Sequence, residues 1–272
     1  MRTALFAVAA GLLLSLAGRS AARDDKEDLA ILVKDLASKT EKTRLAAVQS
    51  LAALGPRAAP VLKDVCDRVV DKSPKVSVAA LEAVEKIDPD LYKPLSGYLL
   101  DGKAQDRAKA IFELKKLGEK ARPASAVFVS HLRSALDTLP VSKGAEKTRA
   151  RTAAHEAVDV IAAVQPDDHD AVATMKRAAG AGCPDMRVRL TAVEYLVKWA
   201  GTDAERRKEV VPILGAGLSG DKALAAQCAQ YAGSYGSAAK SLLPVLKQLT
   251  QSPDMAVRNS AIVAVEKIDA KP

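Results

Sequence analysis

One helical register recurs seven times along the sequence and limits the fold more than any other feature. Residues 83–88 and 264–269 both read Ala-Val-Glu-Lys-Ile-Asp, and an alanine stands three residues before each copy. A small residue in the same register recurs at intervals of 30 to 44 residues. These seven anchor residues are Ala47, Ala80, Ala110, Ala154, Ala192, Cys228 and Ala261. Intervals of this length are typical of helical repeat proteins.

Two columns of mostly large apolar residues accompany the anchors. Four residues after them stand Leu51, Val84, Leu114, Val158, Leu196, Ala232 and Val265. Seven residues after them stand Leu54, Ile87, Leu117, Ile161, Trp199, Tyr235 and Ile268. Offsets of zero, four and seven lie on one face of an α-helix. The columns therefore predict seven helices with one shared apolar stripe, whose small anchor lets neighbouring helices cross closely.

Start and stop signals support this register. Seven residues before the anchor, five of the seven repeats carry residues of N-cap type, namely Thr40, Ser73, Asp185, Asp221 and Asp254. Lys103 and Lys147 depart from this pattern, so the helix starts of those two repeats are less defined. Gly55, Gly118 and Gly236 each follow the last apolar residue of a helix, where glycine commonly ends one.

A second set of helices is predicted between the first. Pro60, Pro94, Pro212 and Pro244 each stand before apolar residues, as prolines do in or near a first helical turn. The unit is therefore helix, short turn, helix, which gives seven pairs and about 14 helices from Asp25 to Ile268, with no strand. An insertion around residues 137–147 is expected to lengthen the turn of the fourth repeat.

The repeat resembles a known family. The pattern Val257-Arg258-x-x-Ala261-x-x-Ala264-Val265-x-x-Ile268 is similar to the second helix of a HEAT repeat, and Val188-Arg189 followed by Ala192 repeats it. The resemblance covers essentially the whole of residues 23–272 and implies an all-α, right-handed, armadillo-like solenoid of HEAT-like or bilin-lyase-type repeats. Its second helices would line a concave groove for a protein or peptide partner.

The resemblance also implies a polar ladder. In HEAT-like repeats an arginine and a preceding aspartate form hydrogen bonds between repeats. The matching positions are Arg44, Arg107, Arg151, Arg189 and Arg258, with Asp185 and Asp254 as aspartate partners. The sixth repeat has Ala225 in place of the arginine. A structural role for this column is preferred over ligand binding.

The first 22 residues have the layout of a secretory signal peptide. A basic start at Arg2 precedes an apolar stretch of 13 residues, Ala4 to Leu16, and small residues from Ser20 lead to a cleavage site after Ala22. Arg19 stands where a bacterial lipobox would carry its lipidated cysteine, so no lipid anchor is expected. The resemblance and this segment together indicate an exported bacterial protein of the periplasm or the extracellular space.

Catalytic and metal-binding patterns are weak. His155-Glu156 is an adjacent pair like those that hold the di-iron centre of HEAT-like deoxyhypusine hydroxylases, but the sequence has no second pair. Metal sites need three or four convergent ligands. The cluster Asp167-Asp168-His169-Asp170 is more simply a helix start. No Ser/His/Asp arrangement, phosphate-binding loop or dinucleotide motif occurs, and no cofactor is expected.

Composition narrows the remaining function classes. With 49% hydrophobic residues the chain is too apolar to be disordered, and with 3% aromatic residues it lacks the rings for nucleic-acid stacking. The net charge of +8 falls to +6 when Arg2 and Arg19 leave with the signal peptide. Basic and acidic residues are interspersed, as in residues 101–122, which favours a solvated face and allows association with an anionic envelope surface.

The three cysteines do not form a fully paired disulfide framework, because their number is odd. Cys66 and Cys228 fall on apolar helix faces and are predicted core residues. Cys183, beside Pro184 in a predicted loop, is expected to be the accessible thiol.

These observations predict a non-catalytic protein–protein interaction scaffold in an exported compartment. Two alternatives remain. One is an enzyme or metalloprotein of the deoxyhypusine-hydroxylase or bilin-lyase kind, for which His155 and Glu156 are the candidate ligands. The other is nucleic-acid binding through the mildly basic face. Because the fold serves many functions, neither the partner nor the groove residues follow from it.

Overall fold

The computed structural model describes residues 21–100 and 103–270, which form helices and turns without a strand. The predicted signal peptide lies outside the described residues except for Ala21 and Ala22, which begin the first helix. The α-helices are α1 (Ala21–Leu36), α2 (Glu41–Leu54), α3 (Leu62–Asp67), α4 (Pro74–Ile87), α5 (Pro89–Leu100), α6 (Ala104–Leu117), α7 (Ser125–Thr138), α8 (Gly144–Val164), α9 (His169–Ala179), α10 (Met186–Ala200), α11 (Ala204–Leu218), α12 (Lys222–Tyr235), α13 (Leu243–Leu249) and α14 (Met255–Asp269). The all-helical prediction is confirmed.

The helices alternate between an A helix and a B helix in seven successive pairs, α1–α2 to α13–α14. Every anchor residue lies on a B helix and is buried, with at most 6% of its surface exposed. Ile87, Ile161 and Ile268 at the large end of the stripe are buried as well. The seven-fold register is therefore confirmed, and Cys228 is a core residue at a helix crossing.

Three of the pairs share a distinctive entry into the A helix. Gly55, Gly118 and Gly236 each have φ of 55° and directly follow α2, α6 and α12. A side chain is strained at this φ, which explains why glycine stands at all three positions. After each glycine the chain forms a 3₁₀ helix before α3, α7 or α13 begins. A helix–glycine–3₁₀ connection thus repeats with the sequence signal that predicted the helix ends.

The predicted N-cap residues lie at the starts of B helices, but only the aspartates use their side chains. Asp185, Asp221 and Asp254 accept hydrogen bonds from backbone N–H groups of α10, α12 and α14. Thr40 and Ser73 occupy the same position without a side-chain hydrogen bond to their helix. The carboxylate both satisfies an unpaired N–H group and favours the positive end of the helix dipole.

The fourth repeat corrects one expectation. Its insertion does not mainly lengthen the turn, because α7 ends at Thr138 and α8 already begins at Gly144. Instead, α8 is the longest helix in the described residues, with 21 residues, and Lys143 rather than Lys147 is its N-cap. The added sequence therefore extends a B helix by about one turn toward its N-terminus.

The helices divide into two compact units, one ending at Pro89 and one beginning at Asp90. In the first unit, α2 packs against both α1 and α4. In the second unit, the B helices α6, α8, α10, α12 and α14 pack in chain order, each on the next. Within that unit the pairs therefore stack as in a helical solenoid, with the core between an A layer and a B layer.

One stretch of the described residues, Glu41–Val70, is long and apolar enough to cross a membrane by length and composition, with a mean hydropathy of 1.2. It is not one straight α-helix, because Gly55 ends α2 and a 3₁₀ helix precedes α3. It also contains Arg44, whose side chain is buried against Asp71. The pairing of two packed helices accounts for the apolar character of this stretch.

Candidate functional site

Three arginines of the column bind backbone carbonyl groups at the end of the A helix or in the turn before their own B helix. Arg44 donates to the carbonyl oxygen of Ser38 at 2.9 Å, Arg189 to that of Ala179 at 3.4 Å, and Arg258 to that of Ser252 at 2.7 Å. Each acceptor belongs to the arginine's own repeat. These side chains therefore hold A and B helices of one pair together through backbone carbonyl groups.

Arg44 also forms an ion pair with the next repeat. Its Nε and Nη2 atoms donate to the two carboxylate oxygens of Asp71 at 2.8 and 2.9 Å, and both side chains are almost fully buried. Burial alone would raise the pKa of Asp71, but hydrogen bonds from Arg44 and from the backbone N–H of Ser73 lower it below its usual value. This bidentate pair joins two repeats, but its aspartate follows the arginine in the chain, whereas the predicted ladder has a preceding aspartate.

The other ladder residues are placed differently. Arg107 lies 3.6 Å from Glu156 on the next B helix, so its partner is a glutamate. Arg151 is exposed, with no ion pair among the described residues. In that repeat His155 contacts the next repeat instead, and its Nε2 atom lies 2.9 Å from Oδ1 of Asp185. Asp254 caps α14 and lies 3.8 Å from Lys222 of the preceding repeat.

His155 and Glu156, the candidate metal ligands, therefore contact different partners. His155 contacts Asp185 and lies 3.4 Å from Arg187, whereas Glu156 pairs with Arg107 on the opposite neighbour. Burial would raise the pKa of Asp185, but hydrogen bonds from His155 and from the backbone of α10 lower it. No group of three metal-binding side chains occurs within residues 21–100 and 103–270. His169 is almost fully exposed, and Asp168 caps α9.

A cavity of about 500 Å³ lies where the third and fourth repeats meet, within the second unit. Residues of α5, α6, α7 and α8 line it. They are Tyr98, Arg107, His131, Ser134, Ala135, Thr138, Glu146, Thr148, Arg149, Ala150, Thr152, Ala153 and Glu156. Its volume falls in the range of about 300–1,000 Å³ that is typical of small-molecule sites.

The extension of α8 supplies one wall of this cavity. Glu146, Thr148 and Arg149 belong to the first two turns of α8 and line the cavity. In the other repeats of the described chain the B helix begins six residues before its anchor, whereas α8 begins ten residues before Ala154. The departure from repeat regularity and the cavity therefore coincide.

A tyrosine–histidine pair lies among the cavity residues. The hydroxyl oxygen of Tyr98 is 2.9 Å from Nδ1 of His131, and the Tyr98 ring packs against Phe128 with centroids 5.0 Å apart. Burial lowers the pKa of His131, so its ring is neutral near pH 7. Burial, followed by the negative charge of Glu156, raises the pKa of Tyr98. Both groups are thus uncharged hydrogen-bonding partners.

The pair retains one donor hydrogen for a further partner. If Tyr98 donates its O–H to Nδ1, the N–H on Nε2 of His131 remains; if Nδ1–H donates to Tyr98, the O–H remains. The two residues make no other hydrogen bond among the described residues. A ligand in the cavity would therefore meet an available donor in either tautomer.

Charged residues complete the cavity. Arg107 and Glu156 face each other across the boundary between α6 and α8, with side chains that are 28% and 18% exposed. Arg149 and Glu146 lie on the extended part of α8, are exposed, and form no ion pair among the described residues. The lining thus combines two positive and two negative groups.

Sequence patterns singled out Arg107 and Glu156 for other roles but did not predict that they line a cavity. Tyr98 and His131 lie 33 positions apart and belong to no motif. The insertion in the fourth repeat was a further sequence signal near the site, because it marked where the repeat spacing changes.

The cysteine expectation is wrong at one position. Cys183 is buried although it lies in a turn, with Sγ 3.7 Å from the carbonyl oxygen of Asp185. Cys66 and Cys228 are buried as predicted. Burial raises the pKa of all three thiols, to about 12 for Cys228.

No protein-family model and no curated protein matches the chain. Among solved structures, a designed armadillo repeat protein matches with 17% identity and a TM-score of 0.24, covering 89% of this chain and 100% of that one. A crystal structure of an engineered protein matches with 17% identity and a TM-score of 0.23, covering 89% of this chain and 98% of that one. Scores of this size support no inference beyond the helices described above.

Proposed function

We propose that this protein is a non-catalytic interaction scaffold of the HEAT-like kind that acts after export. The observation that carries the proposal is the unbroken layer of B helices in the second unit, in which α6, α8, α10, α12 and α14 pack in chain order. Such a layer offers an extended binding surface.

The exposed face of this layer has mixed chemistry. Two residues after their anchors, Phe112, Glu194, Gln230 and Val263 are all exposed. Phe112 is 64% exposed, which is unusual for a large aromatic side chain, while Phe128 is fully buried. Aromatic residues are enriched where proteins bind partners. Phe112 is therefore the residue on this face that we expect to contribute most to partner binding.

The test is affinity capture from a cell-envelope extract with residues 23–272 as bait. We expect a specific partner that Phe112→Asp no longer retains. The matched control is Ile31→Asp, which also places a carboxylate at an exposed apolar position, on the A helix α1. Equal capture by the wild type and the Phe112→Asp variant would contradict the proposal for this face.

Export is the second part of the proposal and has its own test. The basic start, the apolar stretch and the small residues before Arg23 support it. Expression of the full chain in a bacterial host should give a periplasmic or secreted protein whose mass corresponds to a first residue at or near Arg23. An intact N-terminus in the cytoplasmic fraction would count against export.

The hydroxylase-like alternative needs His155 and Glu156 to act as metal ligands. Their present partners, Asp185 and Arg107, instead support a role in joining repeats. Metal analysis of the purified protein separates the two functions. Stoichiometric iron in the wild type that is lost in His155→Ala would favour the metalloprotein.

A further inference from the structure

The charges that line the cavity of the third and fourth repeats balance each other. Arg107 and Arg149 oppose Glu146 and Glu156, and the His131 ring is neutral near pH 7. An ionic ligand of either sign would therefore meet as many like charges as opposite charges. The lining favours a ligand without net charge.

Hydrogen-bond donors and acceptors lie next to each other in the lining of this cavity. The Nε of Arg107 and the Oε1 of Glu156 lie 3.6 Å apart, too far for a good direct hydrogen bond. A hydroxyl group can accept from a guanidinium and donate to a carboxylate at the same time. One ligand hydroxyl could thus bridge this pair while another accepts from Tyr98 or His131.

The remaining wall is made of small side chains. Ala135, Ala150 and Ala153 present methyl groups, and the hydroxyls of Thr138 and Thr148 bind backbone carbonyls of their own helices. The alanine positions offer apolar contact, and the threonine oxygens can still accept a hydrogen bond from a ligand. A ring with an apolar C–H face and hydroxyls along its edge matches this division.

We propose that the cavity between the third and fourth repeats binds a short neutral saccharide, with Arg107, Glu156 and the Tyr98–His131 pair holding its hydroxyl groups. A cavity of about 500 Å³ has room for a ligand larger than one protruding side chain of a partner. Glu156 has the same register position in α8 as Phe112 has in α6, but Phe112 itself does not line the cavity. The inference therefore holds or fails independently of the scaffold proposal.

The experiment is isothermal titration calorimetry of residues 23–272 with maltose, cellobiose and N,N′-diacetylchitobiose at millimolar concentrations and neutral pH. We expect saturable binding of at least one disaccharide. Tyr98→Phe should weaken this binding about two- to tenfold, because it removes one hydrogen-bonding hydroxyl. Thr152→Trp should abolish it, because the indole fills the cavity from an exposed lining position.

The control is Thr202→Trp, the same substitution at an exposed turn outside the cavity, which should bind like the wild type. Circular dichroism of both tryptophan variants verifies folding. The proposal is overturned if no disaccharide binds the wild type, or if binding persists in a folded Thr152→Trp variant. Binding of acetyl-Ala-Tyr-Ala-amide without binding of any disaccharide would also overturn it and would assign the cavity to a peptide side chain.

Discussion

At the scale of single residues, two aromatic side chains have a buried polar atom without a hydrogen-bond partner among the described residues. Nε1 of Trp199 and the hydroxyl of Tyr235 are buried without a hydrogen bond among the described residues. Both rings instead lie under cations, with Arg206 4.9 Å from the Trp199 centroid and Arg207 4.9 Å from the Tyr235 centroid. These contacts stabilise the rings but leave the polar atoms without compensation for lost water.

Removing the unpaired hydroxyl of Tyr235 should therefore not lower the free energy of unfolding. We expect Tyr235→Phe to leave the free energy of unfolding unchanged or slightly increased. Tyr195→Phe should lower it by about 1 kcal/mol, because the Tyr195 hydroxyl donates to the carbonyl oxygen of Pro166. Urea unfolding of the two variants measures the difference, and an equal loss in both would contradict this assignment.

Acid should weaken the buried ion pair of the first unit. The pKa of Asp71 is lowered in the folded protein, so its contribution is complete above the unfolded value of about 3.9 and is lost as the pH falls through the folded value. We expect Asp71→Asn to destabilise the protein at neutral pH and to differ less from the wild type below about pH 4. Urea midpoints across this range provide the measurement, with the exposed Asp90→Asn as control.

Sequence reasoning identified His155 and Asp185 separately but not as partners. The ladder pattern is defined by arginine, so a histidine four residues further along the helix was considered only as a metal ligand. One helical turn separates Arg151 from His155, which places both near the same helix face. Which of them meets the neighbouring aspartate depends on how α8 and α10 cross, and spacing along the chain does not encode that angle.

At the scale of helices, α11 and α12 approach each other closely at Gly217. A Cβ atom added at Gly217 would lie 2.3 Å from Sγ of Cys228, the small anchor of the sixth repeat. Gly215 and Gly217 lie inside α11, where a glycine permits either close packing or a kink. Close packing at Gly217 is what the structure shows.

The Gly217→Ala variant should consequently be destabilised by about 1–3 kcal/mol through overpacking. A second substitution, Cys228→Ala, should recover part of this loss, since the added Cβ would then lie 3.4 Å from the Cβ of residue 228. Thermal or urea unfolding of the two single variants and the double variant gives the coupling. Additive changes in the free energy of unfolding would show that the two positions are not energetically coupled.

The extension of α8 shows what an insertion in the sequence does and does not reveal. Extra length in the fourth repeat was visible, but whether it joined the turn or the helix depended on residues 144–147. These residues begin with glycine and carry no N-cap signal, so the start of α8 was not predictable from local pattern. The cavity beside α8 was not predictable from local pattern either, because residues of four helices line it.

At the scale of the whole molecule, the number and register of the helix pairs could be predicted because each repeat restates the same stripe. Seven copies of the repeat, each with some substitutions, define the pattern better than one copy does. The stack in the second unit then follows, because a pair buries its apolar face only against the next pair. Side chains that differ between repeats, such as Tyr98 and His131, gain nothing from this averaging.

The charge of the predicted mature chain suggests one further measurement. With a net charge of +6, residues 23–272 should bind vesicles that contain phosphatidylglycerol at low ionic strength. Binding should disappear at about 1 M salt, where the screening length falls to about 3 Å. Vesicles of phosphatidylcholine are the control, and salt-independent binding would point to apolar insertion instead.

The three buried thiols let the chain report its own local opening. A maleimide reacts with Cys66, Cys183 or Cys228 only while solvent reaches that sulfur, and they lie in the second, fifth and sixth repeats. A stack of repeats opens locally rather than all at once. Each labelling rate therefore measures the opening of the repeat that contains the cysteine. In an oxidising compartment the same opening rates would limit how fast unwanted disulfides form. The packing around these sulfurs therefore also protects the chain from cross-linking.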